Sequence, residues 1–450
     1  MFLVVLLNSY VLAICLSKSK TKQWARKNNI RIITVKFEQD NGYFCGVKIL
    51  FVANRVPYPP YRGDKLKIFN LAKQLSSSHE LHLITIAEDT LDLSYKDKLT
   101  PYFKTIEMVY LPKWKRQLNV FRSLFNRKPL QVNYFSTSKF QNLVQSIHFD
   151  DFDAIHVQHL RMSQFFDGQV PPQAILDLPD AFSLYWKRRK ERAKNPFIKW
   201  FNALEYHRLL KFEQKILPQF GLNLVCNQED KEYLRRLQKG KKSKNQVRID
   251  LLPNGVDTDT FSRKHSNMEP LRVLFTGNMN YAPNVDGVHY FTSEIWPLVL
   301  REVPNATFII AGQKPVESVK LLASDTIEVT GFIEDLAHEY TKAQVLVAPL
   351  RFGAGTQNKV LEAMASAVPV VCTDIGFQGL NANQGQGIWS FTEPFDFATQ
   401  LIVLLNDLQL AKSKGLEGEK IIKKHFSWNS ISSKLSSYFK EIDEKKGTES

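Results

Sequence analysis

The stretch APLRFGAGTQNKVLEAMASAVP, Ala348–Pro369, decides how the chain is read. An apolar run, Val345–Ala348, leads into a glycine-bearing loop, Gly353-Ala354-Gly355-Thr356, and the loop opens a helix expected near Lys359–Ala367. The first N–H groups of a helix have no partner within it, and glycines let a ligand approach them, so such a junction can hold phosphate. Glu362 falls in the first turns of that helix, where its carboxylate can accept hydrogen bonds from hydroxyls. A carboxylate beside a phosphate site repels it unless aimed at hydroxyl groups. The combination describes a diphosphate joined to a polyol, as in a nucleotide sugar. Glycine loops before helices are also common in α/β proteins that bind nothing there, so the rest of the chain has to support the reading.

Outward from this stretch, apolar runs alternate with amphipathic ones, the mark of a parallel sheet with crossover helices. Strands are expected at Lys48–Ala53, Leu81–Ile86, Thr105–Tyr110, Ala154–Val157, Ala174–Leu178 and Leu222–Val225. After a polar basic connector, Lys239–Asn245, a second set is expected at Val247–Leu252, Arg272–Thr276, Thr307–Ala311, Ile327–Thr330, Val345–Ala348 and Val368–Cys372. A Pro-rich loop, Val56–Gly63, precedes a helix over Asp64–Leu75 with Leu66, Phe69, Leu71 and Leu75 near helical spacing, and Ser183–Leu217 reads as one long basic helix. The fold class expected is α/β, with two Rossmann-like domains (47–245 and 246–425) whose parallel sheets face across a cleft. Ligands in such sheets bind at the carboxyl ends of the strands.

At 450 residues, 44% hydrophobic and 23% charged, the chain suits two globular domains. Its net charge of +15 suits an anionic partner. The charge is local: Lys113, Lys115, Arg116, Arg122, Arg127 and Lys128 interleave with Trp114, Phe121 and Phe125. A second cluster runs from Lys187 to Lys194, followed by Phe197, Trp200 and Phe201. Basic residues beside aromatics fit a peripheral contact with an anionic membrane, or a solvated helix face. No nucleic-acid module is recognisable, so nucleic acid is not expected as a partner. Cys15, Cys45, Cys226 and Cys372 have no paired spacing, which argues against a disulfide framework or a zinc site and suits a reducing cytoplasm. Met1–Leu16 is apolar but shorter than the ~20 residues of a spanning helix, and its positive charges follow it. Residues 1–46 are therefore expected to be an upstream over-extension, with a native start at Val47, or a marginal anchor that keeps the main body on the cytoplasmic side.

Several segments together resemble one family. PNGVDTDTF (Pro253–Phe261), FTGNMNYAPNVDGV (Phe275–Val288), NATFIIAGQKP (Asn305–Pro315), VTGFIEDL (Val329–Leu336), the Ala348–Pro369 stretch and a terminal FSW (Phe426–Trp428) are similar, in this order, to family 4 glycosyltransferases of the GT-B fold. ILFVANRVPYPPYRGDK (Ile49–Lys65) and FDAIHVQHLRM (Phe152–Met162) agree more loosely. The branch they resemble is that of bacterial sugar transferases encoded with exopolysaccharide systems. The resemblance implies an N-terminal acceptor domain, a C-terminal donor domain, a helix over 426–440 crossing back to the first domain, and a polar tail at 441–450. It implies transfer of a sugar from a nucleotide-diphosphate donor to a glycan or lipid-linked acceptor, with retention and without a metal or other cofactor. The setting would be the cytoplasm, at the inner face of the plasma membrane.

Carried over by position, the resemblance makes Glu362 the second of a glutamate pair, on the ribose hydroxyls. Gly353, Gly355 and Thr356, and with them Gln357, Asn358 and Lys359, fall in the loop and helix start holding the diphosphate and donor sugar. Gly331 and Phe332 fall near the base, Gly277 in the first loop of the second domain, and Gly63 in the loop closing over the donor phosphates. The departures are specific. Ala354 stands where the first glutamate belongs. The usual Arg and Lys after Gly277 are replaced by a region of asparagines, Asn278, Asn280 and Asn284, and Lys359 is the candidate to supply that charge. Where a catalytic histidine is often found, LDLPD offers Asp180, which can also be read as a helix cap. His156 and His159 lie nearby in IHVQHL, and His156 can equally be a satisfied strand histidine. Asp257 and Asp259 have the spacing of a metal pair but read as turn and cap residues. The candidate catalytic set is Glu362, Asp180 and His156. The rival readings are a non-catalytic partner of the same shape and a nucleotide-sugar epimerase.

Overall fold

The computed structural model describes residues 3–7, 10–14, 46–61, 63–123, 125–238, 247–262, 268–353, 357–380 and 382–449. The chain divides into two units, Met1–Gly46 and Val47–Ser450. In the first, β1 (Leu3–Leu7) pairs antiparallel with β2 (Tyr10–Ile14), Leu3 opposite Ile14. The anchor reading calls for a helix there. Among the described residues no helix is long and apolar enough to cross a membrane.

The second unit holds two fully parallel sheets. The first has strands β3 (Lys48–Ala53), β4 (Glu80–Ala87), β5 (Thr105–Tyr110), β6 (Ala154–Gln158), β7 (Ala174–Leu178), β8 (Leu222–Val225) and β9 (Ile249–Leu251), in the order β5-β4-β3-β6-β7-β8-β9. The second has β10 (Arg272–Thr276), β11 (Thr307–Ala311), β12 (Ile327–Gly331), β13 (Val345–Ala348), β14 (Val370–Cys372) and β15 (Ile388–Ser390), in the order β12-β11-β10-β13-β14-β15. Strands covered on both faces by crossover helices read as continuous apolar runs, and KILFVA and TFIIA are such runs. In both sheets the strand order reverses beside the first strand of the sheet, β3 and β10. The crevice of a doubly wound sheet opens at that point.

Four helices position the site: α1 (Gly63–Leu75), α2 (Phe182–Arg192), α3 (Pro196–Ile216) and α4 (Asn358–Ala365). A fifth, α5 (Trp428–Glu449), follows the second domain but belongs to the core of the first. Its Trp428, Ile431, Leu435 and Phe439 lie at i, i+3, i+7 and i+11, one helical stripe, and pack with Ile49, Phe51, Ile68 and Leu71. Near the return crossing the two connecting strands pair: Val256 N–H donates to Phe426 O (2.8 Å) and Trp428 N–H to Val256 O (3.3 Å). A Cβ on Gly255 would lie 2.6 Å from the Trp428 ring, so only glycine lets that ring close over the crossing.

Three expectations are corrected. The strand expected at Val247–Leu252 to open the second domain is β9, hydrogen-bonded to β8, so the first sheet takes it as its edge. The long helix over Ser183–Leu217 is two: Asn195 accepts from the N–H groups of Phe197 and Ile198, and Pro196 occupies the first helical position, a start signal inside the basic run. The last helix runs to Glu449, through most of the expected polar tail. The connector Lys239–Asn245 lies outside the described residues.

Because α5 completes the first domain's core, Phe439→Ala is expected to cost about 3–5 kcal/mol in urea unfolding. The loss should appear as earlier proteolysis within Val47–Leu252.

Candidate functional site

On the second domain the site is built by three loops at the carboxyl ends of β10, β11 and β12. Gly277 N–H donates to Ala311 O (3.0 Å) and Gly312 N–H to Gly331 O (2.9 Å), so the loops are stacked side by side. A Cβ on Gly312 would stand 1.7 Å from Gly277 O, a contact no other residue permits. Gly331 has φ +75°, the left-handed region, which turns the chain away from β12 and leaves Phe332 74% exposed at the rim.

Into this stack reaches Lys359, from the first turn of α4. Its Nζ donates to Asn284 Oδ1 (2.8 Å) and lies 4.0 Å from the centre of the Phe275 ring. A Cβ on Gly277 would be 3.3 Å from that nitrogen, so the cation sits directly beneath the Gly277 loop. Burial pulls the ammonium down to about 7, against the opposing pull of Glu362. One turn on, Glu362 accepts from the Tyr340 hydroxyl (2.8 Å), and that hydroxyl also meets Thr276 Oγ1 (2.6 Å). Burial raises the Glu362 carboxyl, with the Tyr340 hydrogen bond and Lys359 acting against it. Asn358 is held from the crossing, since Asn254 Nδ2 donates to its Oδ1 (3.2 Å).

Beside Asn358, the first domain contributes most of the wall of a cavity of ≈580 Å³, a size that suits a small-molecule ligand; Lys359 and Glu362 are not among its lining residues. Gly63, Asp180 and Asn358 line it, together with Arg55, Lys67, His159, Arg161, Tyr185 and Tyr281. Asp180 is half-buried, and burial raises its carboxyl to about 6 while Arg188, Lys67 and Arg161 oppose the shift. It does not cap α2: the cap position is Ala181, and the Ser183 N–H in the first turn donates to Glu213 Oε1 (3.1 Å). Asp64 is occupied by Arg55, whose Nη1 donates to it at 2.6 Å, and Arg55 is also paired with Glu88. Lys67 is a buried cation whose Nζ donates to Asp177 Oδ1 (2.7 Å) and Leu252 O (2.9 Å). His159 lines the cavity in a backbone conformation unusual for a side-chain-bearing residue, φ 78°, its N–H donating to Asp177 O at 2.7 Å.

His156 does not belong to this set. It is fully buried in β6, its Nε2 3.1 Å from Asp177 Oδ2, between the rings of Phe51 and Phe439. It stands behind Asp177, which lines the cavity, and does not line the cavity itself. Its partner Asp177 bridges it to Lys67, while His156 Nδ1 is buried with no hydrogen-bond partner among the described residues. Asp257 accepts from the N–H groups of Asp259 and Thr260, a turn. Gly353 is buried and Gln357 stands at the cap position of α4. Ala354, Gly355 and Thr356 lie outside the described residues. Arg55 and Lys67 were not among the expected site residues. A lysine at position 67, on the Ile68–Leu71–Leu75 stripe of α1, was the signal for one of them.

Residues 270–407 match the model of a family described as glycosyl transferases group 1. A Klebsiella pneumoniae protein described as an uncharacterized 44.6 kDa protein in the cps region is 22% identical over 409 residues, 88% of this chain and 99% of that protein. Among solved structures, sucrose-phosphate synthase from Thermosynechococcus elongatus superposes with a TM-score of 0.63 at 17% identity, covering 88% of this chain and 99% of its own. HepE from Anabaena, solved in complex with UDP, gives 0.60 at 14% identity, covering 88% and 100%.

The Asp180 carboxyl titrates higher in the folded protein than its ordinary 3.8, so the folded state binds that proton more tightly than the unfolded chain. Stability contributed by the proton is complete below about pH 4 and is lost as pH rises through about 6. Asp180→Asn should therefore raise stability at pH 8 by on the order of 1–3 kcal/mol, with wild type and variant converging below about pH 4 in denaturant titrations.

Proposed function

We propose that this chain, which carries a group 1 glycosyltransferase domain at residues 270–407 in a GT-B fold, transfers a sugar from a nucleotide-diphosphate donor to a glycan or lipid-linked acceptor in surface polysaccharide synthesis. The supporting observation is Lys359 beneath the Gly277 loop. That position supplies, from α4, the positive charge which the asparagines after Gly277 do not. The Klebsiella relative's place in a cps region and the UDP complex of HepE agree with the reading.

In this mechanism the bond between the sugar's anomeric carbon and the diphosphate oxygen breaks, and the electron pair leaves with the diphosphate. Lys359 and the N–H groups of the first turn of α4 stabilise the charge that develops there. Glu362, aimed by Tyr340, accepts hydrogen bonds from the ribose hydroxyls. Asp180, ionised at pH 7 and facing the cavity, accepts from hydroxyls of the transferred sugar. The acceptor hydroxyl attacks from the face the diphosphate vacates, giving retention, and its proton passes to the departing phosphate oxygen. The scheme needs no metal. Trp114, Phe121 and Phe125, all more than half exposed beside the basic residues of 113–128, would rest the first domain on an anionic membrane. Sedimentation with phosphatidylglycerol vesicles tests this, and replacing the three rings by serine should abolish it.

Ala354, in place of a glutamate, favours the second reading, a partner that binds a nucleotide sugar without turnover. Product formation from donor and a glycan acceptor separates the two.

Thermal shifts of the full chain with UDP, GDP, ADP and their sugar conjugates test the donor site, since a ligand at 100 times its Kd adds about 2.7 kcal/mol. Glu362→Ala and Lys359→Met should each weaken the nucleotide that binds by about 10- to 100-fold. Above pH 7 the free lysine is neutral and must take up a proton on binding a diphosphate. Affinity should therefore fall as pH rises from 7 to 9 in wild type and stay flat in Lys359→Met.

A further inference from the structure

Beside the first cavity, and sharing Tyr185 with it, lies a second of ≈530 Å³. It opens between α2 and the loop before α4, and its lining includes Arg188, Arg189, Arg192, Arg351, Phe352 and Ile198. Four guanidinium groups there face one lining carboxylate, Asp286, which is held by Arg351 (Nε to Oδ2, 2.8 Å). Arg188 is paired with Glu229 and donates to Gly353 O (3.2 Å). Arg189 and Arg192 have no carboxylate partner among the described residues. Arg189 lies over the Trp186 ring (4.9 Å), and Arg192 lies over Phe352 (4.7 Å) and donates to Arg351 O (2.6 Å). Arg192 is also pulled below its ordinary range, first by burial and then by its neighbour Arg188. The site thus gathers more positive charge than it neutralises, in the planar donor forks that match phosphate oxygens in pairs.

At the mouth the surface turns apolar. Phe197 and Trp200 are 72% and 61% exposed, their rings 5.9 Å apart, and Ile198 between them reaches into the cavity. A free nucleotide has no use for such a rim, whereas an anionic head on a long apolar chain has. We propose that the second cavity binds the diphosphate of a lipid-linked acceptor, a sugar diphosphate ester of a long apolar alcohol, with Arg189 and Arg192 on the phosphates and the chain along Phe197, Ile198 and Trp200. The role as acceptor rests on the glycosyltransferase reading above. It leaves the attached sugar pointing past Tyr185 toward the first cavity, where the donor's anomeric carbon would stand.

Calorimetric titration of the full chain with farnesyl diphosphate, inorganic diphosphate and farnesol, with and without saturating nucleotide, tests the site. Farnesyl diphosphate is expected to bind with nucleotide present, inorganic diphosphate at least ~10-fold more weakly, and farnesol without measurable heat. Arg189→Gln/Arg192→Gln should weaken farnesyl diphosphate at least ~10-fold and leave nucleotide binding unchanged. Arg189→Gln alone, an exposed side chain, should show part of the loss if the double variant is unstable. Unchanged binding in these variants, displacement by nucleotide, or no binding at all overturns the proposal. So does a double variant that loses only its retention on phosphatidylglycerol vesicles, which would assign the arginines to a membrane surface. A chain that binds farnesyl diphosphate through these arginines but no nucleotide upholds the cavity and overturns the donor reading instead.

Discussion

The two crossings between the domains are hydrogen-bonded to each other, and the geometry of the cleft depends on that pairing. Val256 and Phe426–Trp428 are joined by one parallel bridge, and Gly255 lets the Trp428 ring seal it. From the same junction Leu252 O takes the buried Lys67 ammonium, and Asn254 holds Asn358 at the start of α4. Lys67 in turn is held by Asp177, which carries His156 and receives the His159 N–H through its carbonyl. One connected set of contacts therefore runs from the first helix, through the floor of the first sheet, across the junction and into the helix that bears Lys359 and Glu362. Parallel sheets present their carboxyl ends on one edge. The junction decides that the two edges meet face to face.

The charges at this edge are held under tension of different kinds. Lys67 and Asp177 are buried and paired, and both stay charged: attraction outweighs burial for each, so the ammonium is raised and the carboxyl lowered. Lys359 and Glu362 share a helix turn, yet burial wins for both, drawing the one down and the other up. The first pair is a structural rivet. The second is a pair whose hydrogen bonds among the described residues go to neutral partners, Asn284 and Tyr340, where the proposed donor would add its phosphates and hydroxyls. Asp180, half-buried and raised, belongs with the second kind.

Strands were the legible part of the chain because a strand buried on both faces leaves a short apolar run that little else imitates. Each of the twelve expected runs overlaps a strand of the structure, including the edge strands β5 and β12, which are only partly buried. What periodicity could not show was which sheet a run joins: Ile249–Leu251 follows a basic connector but is claimed by β8. The Asn195-Pro196 break was legible in principle, hidden by the uniform charge of the segment around it. Of the candidate site, Lys359, Glu362, Gly277 and Gly63 were found from a loop–helix junction and from resemblance. Arg55 and Lys67 were not, since a buried cation is recognised by a partner 110 residues away, as Asp177 is for Lys67. The place of His156 behind Asp177 was illegible for the same reason: a histidine in an apolar strand looks alike whether a ligand or a buried carboxylate waits for it.

The place of α5 has a consequence for how the protein comes into being. Chains fold as they leave the ribosome, first-made domains first. Here the face of β3 and α1 formed by Ile49, Phe51, Ile68 and Leu71 has no cover until Trp428–Phe439 arrives, after the whole second domain has been made. The second domain closes over its own sheet, so it matures ahead of the domain synthesised before it. Throughout that interval the nascent first domain carries an open apolar face, the kind of surface that chaperones hold. The half of the chain that is made first is the half that is finished last.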